Sequence, residues 1–272
     1  MNGKDALMII VKNEKADWKS VYSKIKERPI LTEGEAPTPA ELGGWTPITI
    51  LDPEYPESLS KKVQMPPFVL FVKGDASILK LPKLQLVASS NRGGESKVSA
   101  LIGGLVAEKV PVSVFWKPNG DGDDYGSEAV RAYEGSGVPF MVVIPGHTEP
   151  EARDAIADRV AAAGGVAVTE AYPGTVLPES DRLSYPRIGI GMTSGTLVLN
   201  GGYGSDSVAE KSAVVETTLA CATHQDVGAV PYPPFSPTGS LCNELIRSGA
   251  LLIDTADEAK ALLETGAEEV TL

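Results

Sequence analysis

Three short stretches concentrate the residue types that can hold a negatively charged oxygen. Residues 89–96, SSNRGGES, bring serine hydroxyls, an amide, a guanidinium and two glycines into eight positions. Small residues let the backbone approach a ligand closely, and Arg92 can grip a phosphate through two parallel bonds. This is neither the G-x-G-x-x-G dinucleotide fingerprint nor a P-loop, because no G-K-[ST] follows. Residues 200–207, NGGYGSDS, repeat the theme. There Gly201, Gly202 and Gly204 free the backbone, Ser205 and Ser207 offer hydroxyls, and Asp206 is placed to cap a following helix. The third stretch, KPNGDGDDYGS at 117–127, is Gly-rich and acidic. Its Asp121, Asp123 and Asp124 suggest a cation, but the EF-hand spacing and its terminal Glu are missing, so a solvated loop is expected and no metal site is assigned.

Covalent chemistry has little support. His147 stands in IPGHTEP without a G-x-S-x-G nucleophile, and reads as a helix-entry turn. His224 and Cys221 fall at a helix end, and Cys242 occupies an apolar helical position expected in the core. Arg182 and Arg187, in ESDRLSYPRIGIGM, complete with Arg92 a small basic ring around a shared groove, or else lie along the surface.

These loops need elements to bring them together. Apolar runs at 84–89, 110–116, 139–145, 166–171, 196–200, 227–232 and 250–253 are short, rich in β-branched residues and bounded by turn residues. Segments with helical spacing alternate with them, two of them opened by Ser127 or Asp206 as N-cap. The alternation predicts an α/β fold, an extended Rossmann-like, doubly wound and mostly parallel sheet with helices on both faces. FVLFVKG at 68–74 is a candidate further strand. In such a sheet ligands sit beyond the carboxyl ends of the strands, where all three stretches fall. Residues 1–45 read as an N-terminal appendage or linker, with an amphipathic helix through Trp18, Val21, Tyr22 and Ile25, ahead of one domain at 46–272.

Composition sets limits. The 272 residues are 42% hydrophobic and 22% charged, which suits a soluble globular chain with a sizeable core. With 24 Lys and Arg against 36 Asp and Glu, the net charge is −12, so any polyanion site must be a local patch. Two cysteines and two histidines cannot build the common multi-Cys zinc frameworks, and reduced thiols in a cytoplasm are expected. The apolar run near the start is short and broken by charges and no later stretch has the apolar length of a membrane span, so neither secretion nor membrane spanning is expected.

The order of the segments resembles the DprA/Smf family of DNA-processing proteins. DPEYPESL (52–59) and PPFVLFVKGD (66–75) are similar to the family's Y-P-x-x-L and P-x-x-L-[FY]-x-x-G. RIGIGMT (187–193) is similar to R-I-x-x-G-x-S/T, and AVPYPPFSPTGSLCNELIRSGALLI (229–253) to A-V-P-G followed by G-x-N-x-L-I-x-x-G-A. The resemblance covers about three quarters of the chain and makes 46–272 a DprA-like Rossmann domain. The family's V-G-S-R loop falls on ASSNR, with Asn91 inserted. Its S-G-x-A-x-G-I-D-x-x-A-H lies on WKPNGDGDDYGS, where Asp123 matches the Asp and Ser127 replaces the His. R-N-R aligns with Tyr185, Pro186 and Arg187, Asn200 replaces an acidic residue, and the family's Asn falls on Cys242 or Asn243.

What the resemblance implies is a non-enzymatic, cofactor-free protein of DNA uptake, transformation and recombination. It would bind single-stranded DNA, help load a RecA-type recombinase and form a homodimer. The implied phosphate or DNA contacts are Ser89, Ser90, Asn91, Arg92, Gly93, Lys117, Asp123, Arg187, Gly201, Gly202, Gly204, Ser205 and Asn243. Trp116, Tyr125 and Tyr203 are candidates for base stacking. A core-only member is expected, lacking the flanking domains of many relatives. The alternative is a small-nucleotide binder or nucleotide hydrolase of the SLOG group, since NGGYGSDSVAE (200–210) partly echoes P-G-G-x-G-T-x-x-E with Glu210 one residue late.

Overall fold

The computed structural model describes residues 2–15, 17–26, 34–89, 96–116, 125–177, 184–202 and 208–268. Seven strands carry the runs read from the sequence: β3 (Leu84–Val87), β4 (Val112–Phe115), β5 (Phe140–Val143), β6 (Val166–Thr169), β7 (Gly195–Val198), β8 (Asp226–Ala229) and β9 (Leu251–Leu252). All seven are parallel, and β3 to β6 are buried throughout, as expected of strands covered on both faces. β2 (Val69–Gly74) is the further strand, and it pairs antiparallel with β6 and with β1 (Thr46–Thr49). β1 carries Pro47, which the sequence reading left outside any strand; the sheet tolerates it because β1 is an edge.

The sheet runs β1-β2-β6-β5-β4-β3-β7-β8-β9. Chain order therefore proceeds outward from β3 through β4, β5 and β6, then returns to the other side of β3 for β7. Crossovers α5 (Ser96–Ala107), α6 (Tyr125–Tyr133) and α7 (Pro150–Ala162) serve the first direction, and α9 (Val208–Ala222) the second. Right-handed crossovers running in opposite directions place their helices on opposite faces, and this reversal makes the sheet doubly wound. The junction of β3 and β7 is the switch point, where the loops leaving the two strands part to opposite faces.

Ser127 is the third residue of α6 and buried, so it does not cap that helix as expected; Tyr125 and Gly126 already lie in the first turn. Short helices α8 (Pro186–Gly191) and α10 (Ser240–Arg247) were not legible as periodic segments, being six and eight residues long.

The first 45 residues supply α1 (Gly3–Asn13), α2 (Trp18–Lys26) and α3 (Pro39–Leu42), and α4 (Glu57–Lys62) lies between β1 and β2. Asn2 and Asp5 form a reciprocal capping box that opens α1, with the Asp5 amide donating to Asn2 Oδ1 at 2.8 Å. Met8, Ile10, Val11 and Val21 join the same buried cluster as the sheet, and the Tyr22 hydroxyl donates to Pro66 O at 2.8 Å. No helix among the described residues is long and apolar enough to cross a membrane.

Candidate functional site

At the switch point the loops after β3, β7 and β8 are tied together by hydrogen bonds that involve their backbones. The Ser89 amide donates to the Asn200 side-chain oxygen at 2.9 Å, joining the first loop to the second. Gly201 N donates to Thr238 O at 2.8 Å, joining the second loop to the third, and Leu241 N, in the first turn of α10, donates to Gly201 O at 2.9 Å. Asn200, Gly201 and Gly202 are buried at the floor of this crevice. A Cβ on Gly201 would come within 2.7 Å of the Leu241 side chain, so glycine permits the close approach.

The third loop, PYPPFSPTG at 231–239, is held from below. Tyr232 is buried and its hydroxyl donates to Leu199 O at 2.8 Å. Asn243 accepts from Tyr232 N at 3.0 Å and donates to Pro233 O at 3.4 Å. The amide thus positions the loop with both ends of its side chain. Its neighbour Cys242 faces the core, where burial pushes the thiol up to about 12. Lys97, in the first turn of α5, reaches over the Tyr232 ring at 5.0 Å and donates to Pro231 O. This ammonium on the crevice wall escaped the sequence reading, although its place just after the first loop is where topology puts helix N-termini.

Of the expected contacts, Ser89, Gly201, Gly202 and Asn243 meet at this crevice. Ser90, Asn91, Arg92, Gly93, Lys117, Asp123, Gly204 and Ser205 lie outside the described residues, as do Arg182 and Tyr203.

Arg187 stands elsewhere. Glu170, just beyond β6, takes Nη1 and Nη2 in a two-pronged ion pair. Nη1 also donates to Ser184 O at 2.7 Å, and Nε to Met65 O at 2.9 Å. β6 is three strands from β3, which at the usual interstrand spacing is roughly 14 Å. The expected grouping of Arg187 with the crevice loops is therefore replaced by a buried pair that secures α8 to the sheet. Tyr125 is fully buried and presents no face to a ligand, and Trp116 is half-buried against the core.

A second buried polar cluster lies between α8 and α9. The Tyr185 hydroxyl sits 2.8 Å from Ser212 Oγ and 2.9 Å from Glu216 Oε1, and Ser212 donates to the same carboxylate oxygen at 2.6 Å. Burial, reinforced by the nearby carboxylate, pushes the phenol well above its ordinary value, so Tyr185 remains a proton donor. Ser212 and Glu216 are i,i+4 neighbours, a pattern that in sequence is indistinguishable from a solvated helix face. Among the described residues no group of three or more His, Cys, Asp or Glu is placed to hold a metal ion.

What these elements and loops resemble is specific. No family model matches the chain. DNA processing protein DprA of Streptococcus pneumoniae (strain ATCC BAA-255 / R6) is 26% identical over 220 residues, spanning 79% of this chain and 73% of that protein. The X-ray structure of the S. pneumoniae protein superposes with a TM-score of 0.67 at 25% identity, over 82% of this chain and 75% of that one. DNA processing protein A of Helicobacter pylori, described for its single-stranded DNA binding mode, superposes with a TM-score of 0.61 at 15% identity, over 83% and 97% of the two chains.

Proposed function

We propose that the chain, similar over 79% of its length to DNA processing protein DprA of Streptococcus pneumoniae, is a member of the DprA/Smf family and binds single-stranded DNA through phosphates held at the β3/β7 switch point. The observation that carries this reading is the convergence there of three loops, fixed by the Ser89–Asn200 and Gly201–Thr238 bonds, with the ammonium of Lys97 beside them. Such a crevice offers main-chain amides and a few cations to a chain of anionic oxygens. Ser89, Ser90, Asn91, Arg92, Gly93, Lys117, Asp123, Gly201, Gly202, Gly204 and Ser205 form its lining in this proposal, and Asn243 positions the loop beside it.

The protein acts by binding, with no chemical step, in the cytoplasm. It serves recombination and DNA uptake, and it hands the strand to a RecA-type recombinase. A homodimer belongs to the same reading. With a net charge of −12 and few cations at the crevice, the affinity is modest and falls with salt. The slope on a logarithmic plot is about −0.7 for each phosphate neutralised on a single strand.

Fluorescence anisotropy of labelled oligo-dT, titrated from low to moderate salt, tests this. Saturable binding with a shallow salt slope is expected. No binding at the lowest salt removes the reading, and a thermal shift with mononucleotides alone in its place would assign the crevice to a small nucleotide.

A further inference from the structure

Phe235 is fully exposed, at 101% of its reference area, and among the described residues it is the only aromatic among the exposed large hydrophobics. Its backbone has φ +71°, the left-handed region that costs an ordinary L-residue about 1–2 kcal/mol. An aromatic ring is thus kept in the least comfortable backbone setting and gains nothing from burial.

The loop beneath it is built to hold still. Pro231, Pro233, Pro234 and Pro237 restrict its backbone. Ser236 N donates to Pro233 O at 3.1 Å, and Asn243 clamps its base. Gly239 closes over the Tyr232 ring so tightly that a Cβ there would lie 2.0 Å from it. Three residues beyond Phe235, Thr238 bonds Gly201 on the crevice floor.

We propose that Phe235 is a stacking platform for a nucleobase of the strand whose phosphates occupy the crevice. The inference rests on the preceding reading and adds to it a contact that reads bases by their faces, indifferent to sequence. Phe235 is fully exposed, so both faces of its ring are open to a base, and its loop is bonded to the crevice floor through Thr238 and Gly201.

The test compares oligo-dT with an abasic oligonucleotide of the same length and charge, in wild type, Phe235→Gly and Phe235→Tyr. Phe235→Gly is expected to bind oligo-dT about 5- to 150-fold more weakly while binding the abasic strand as wild type does. Because glycine relieves the backbone, its thermal midpoint should hold or rise, which separates a lost contact from a damaged fold. Phe235→Tyr should retain the affinity. If wild type binds oligo-dT and Phe235→Gly binds it equally, the stacking role is overturned and the phosphate reading stands. If wild type binds no DNA, both fall. Equal losses on the two strands, a Tyr variant as weak as Gly, or a change confined to self-association would each overturn stacking by assigning the ring another task.

Discussion

Arg187 and Glu170 form a buried ion pair, and removing one partner strands the other charge away from water. Arg187→Ala should lower the unfolding free energy by about 3–5 kcal/mol. Urea denaturation measures that loss, while oligo-dT affinity extrapolated to fully folded protein should stay near wild type. A fall in affinity without a fall in stability would return Arg187 to the ligand. The sequence could not decide this, because an arginine's task is set by what packs against it, and Glu170 comes from a different strand end. Lys83 is a second case. It is wholly buried, its ammonium donating at 2.8–3.0 Å to the carbonyls of Ile78, Leu79 and Leu81, and burial pushes it down to about 7 from 10.5. The unfolded chain then holds more protons than the native one between those values, so this group makes stability rise as pH climbs from about 7 towards 10.5. Lys83→Met should flatten that rise, as seen by denaturant melts across the window. An unchanged slope would mean the ammonium stays charged on its three carbonyls.

At the scale of elements, short apolar runs between turn residues made the seven parallel strands legible, most plainly β3 to β6, which are buried throughout and have no polar face to obscure the pattern. β1 and α8 were less so, because Pro47 masks a short edge strand and α8 spans under two turns. The loops are legible in composition and illegible in their mutual bonds: nothing in NGGYG or PYPPFSPTG says that Gly201 meets Thr238, a contact made only when β7 and β8 lie side by side. Asn243 exemplifies this, being suggested by resemblance as a ligand contact and found bonding the backbone of Tyr232 and Pro233. Asn243→Ala leaves the Tyr232 amide without its partner and should cost about 1–3 kcal/mol by thermal or urea melting. It should also weaken oligo-dT binding by loosening the loop that carries Phe235. Asn243→Asp preserves the acceptor and should restore most of both, whereas an Asp variant as damaged as Ala would mean the donor to Pro233 O matters more.

The whole molecule has two sheet edges, and they are unlike. β1 ends the sheet with a four-residue strand interrupted by Pro47, a device that discourages strand addition. β9 ends it with Leu251 and Leu252, each half exposed. Among the described residues, this second edge is where an outermost strand carries exposed apolar side chains, and self-association of the protein is expected there. A dimer there would join two crevices in one particle, and a strand long enough to span them would bind its second site at high effective concentration. An acidic chain with few cations per crevice gains most from such doubling. Leu252→Lys should convert the dimer to a single chain in sedimentation equilibrium. It should leave the affinity for a short oligo-dT unchanged and abolish the extra affinity for a long one. If the variant remains dimeric, the interface lies off β9; if wild type already sediments as one chain, each crevice acts alone, and affinity should grow with oligonucleotide length only in proportion to the number of sites.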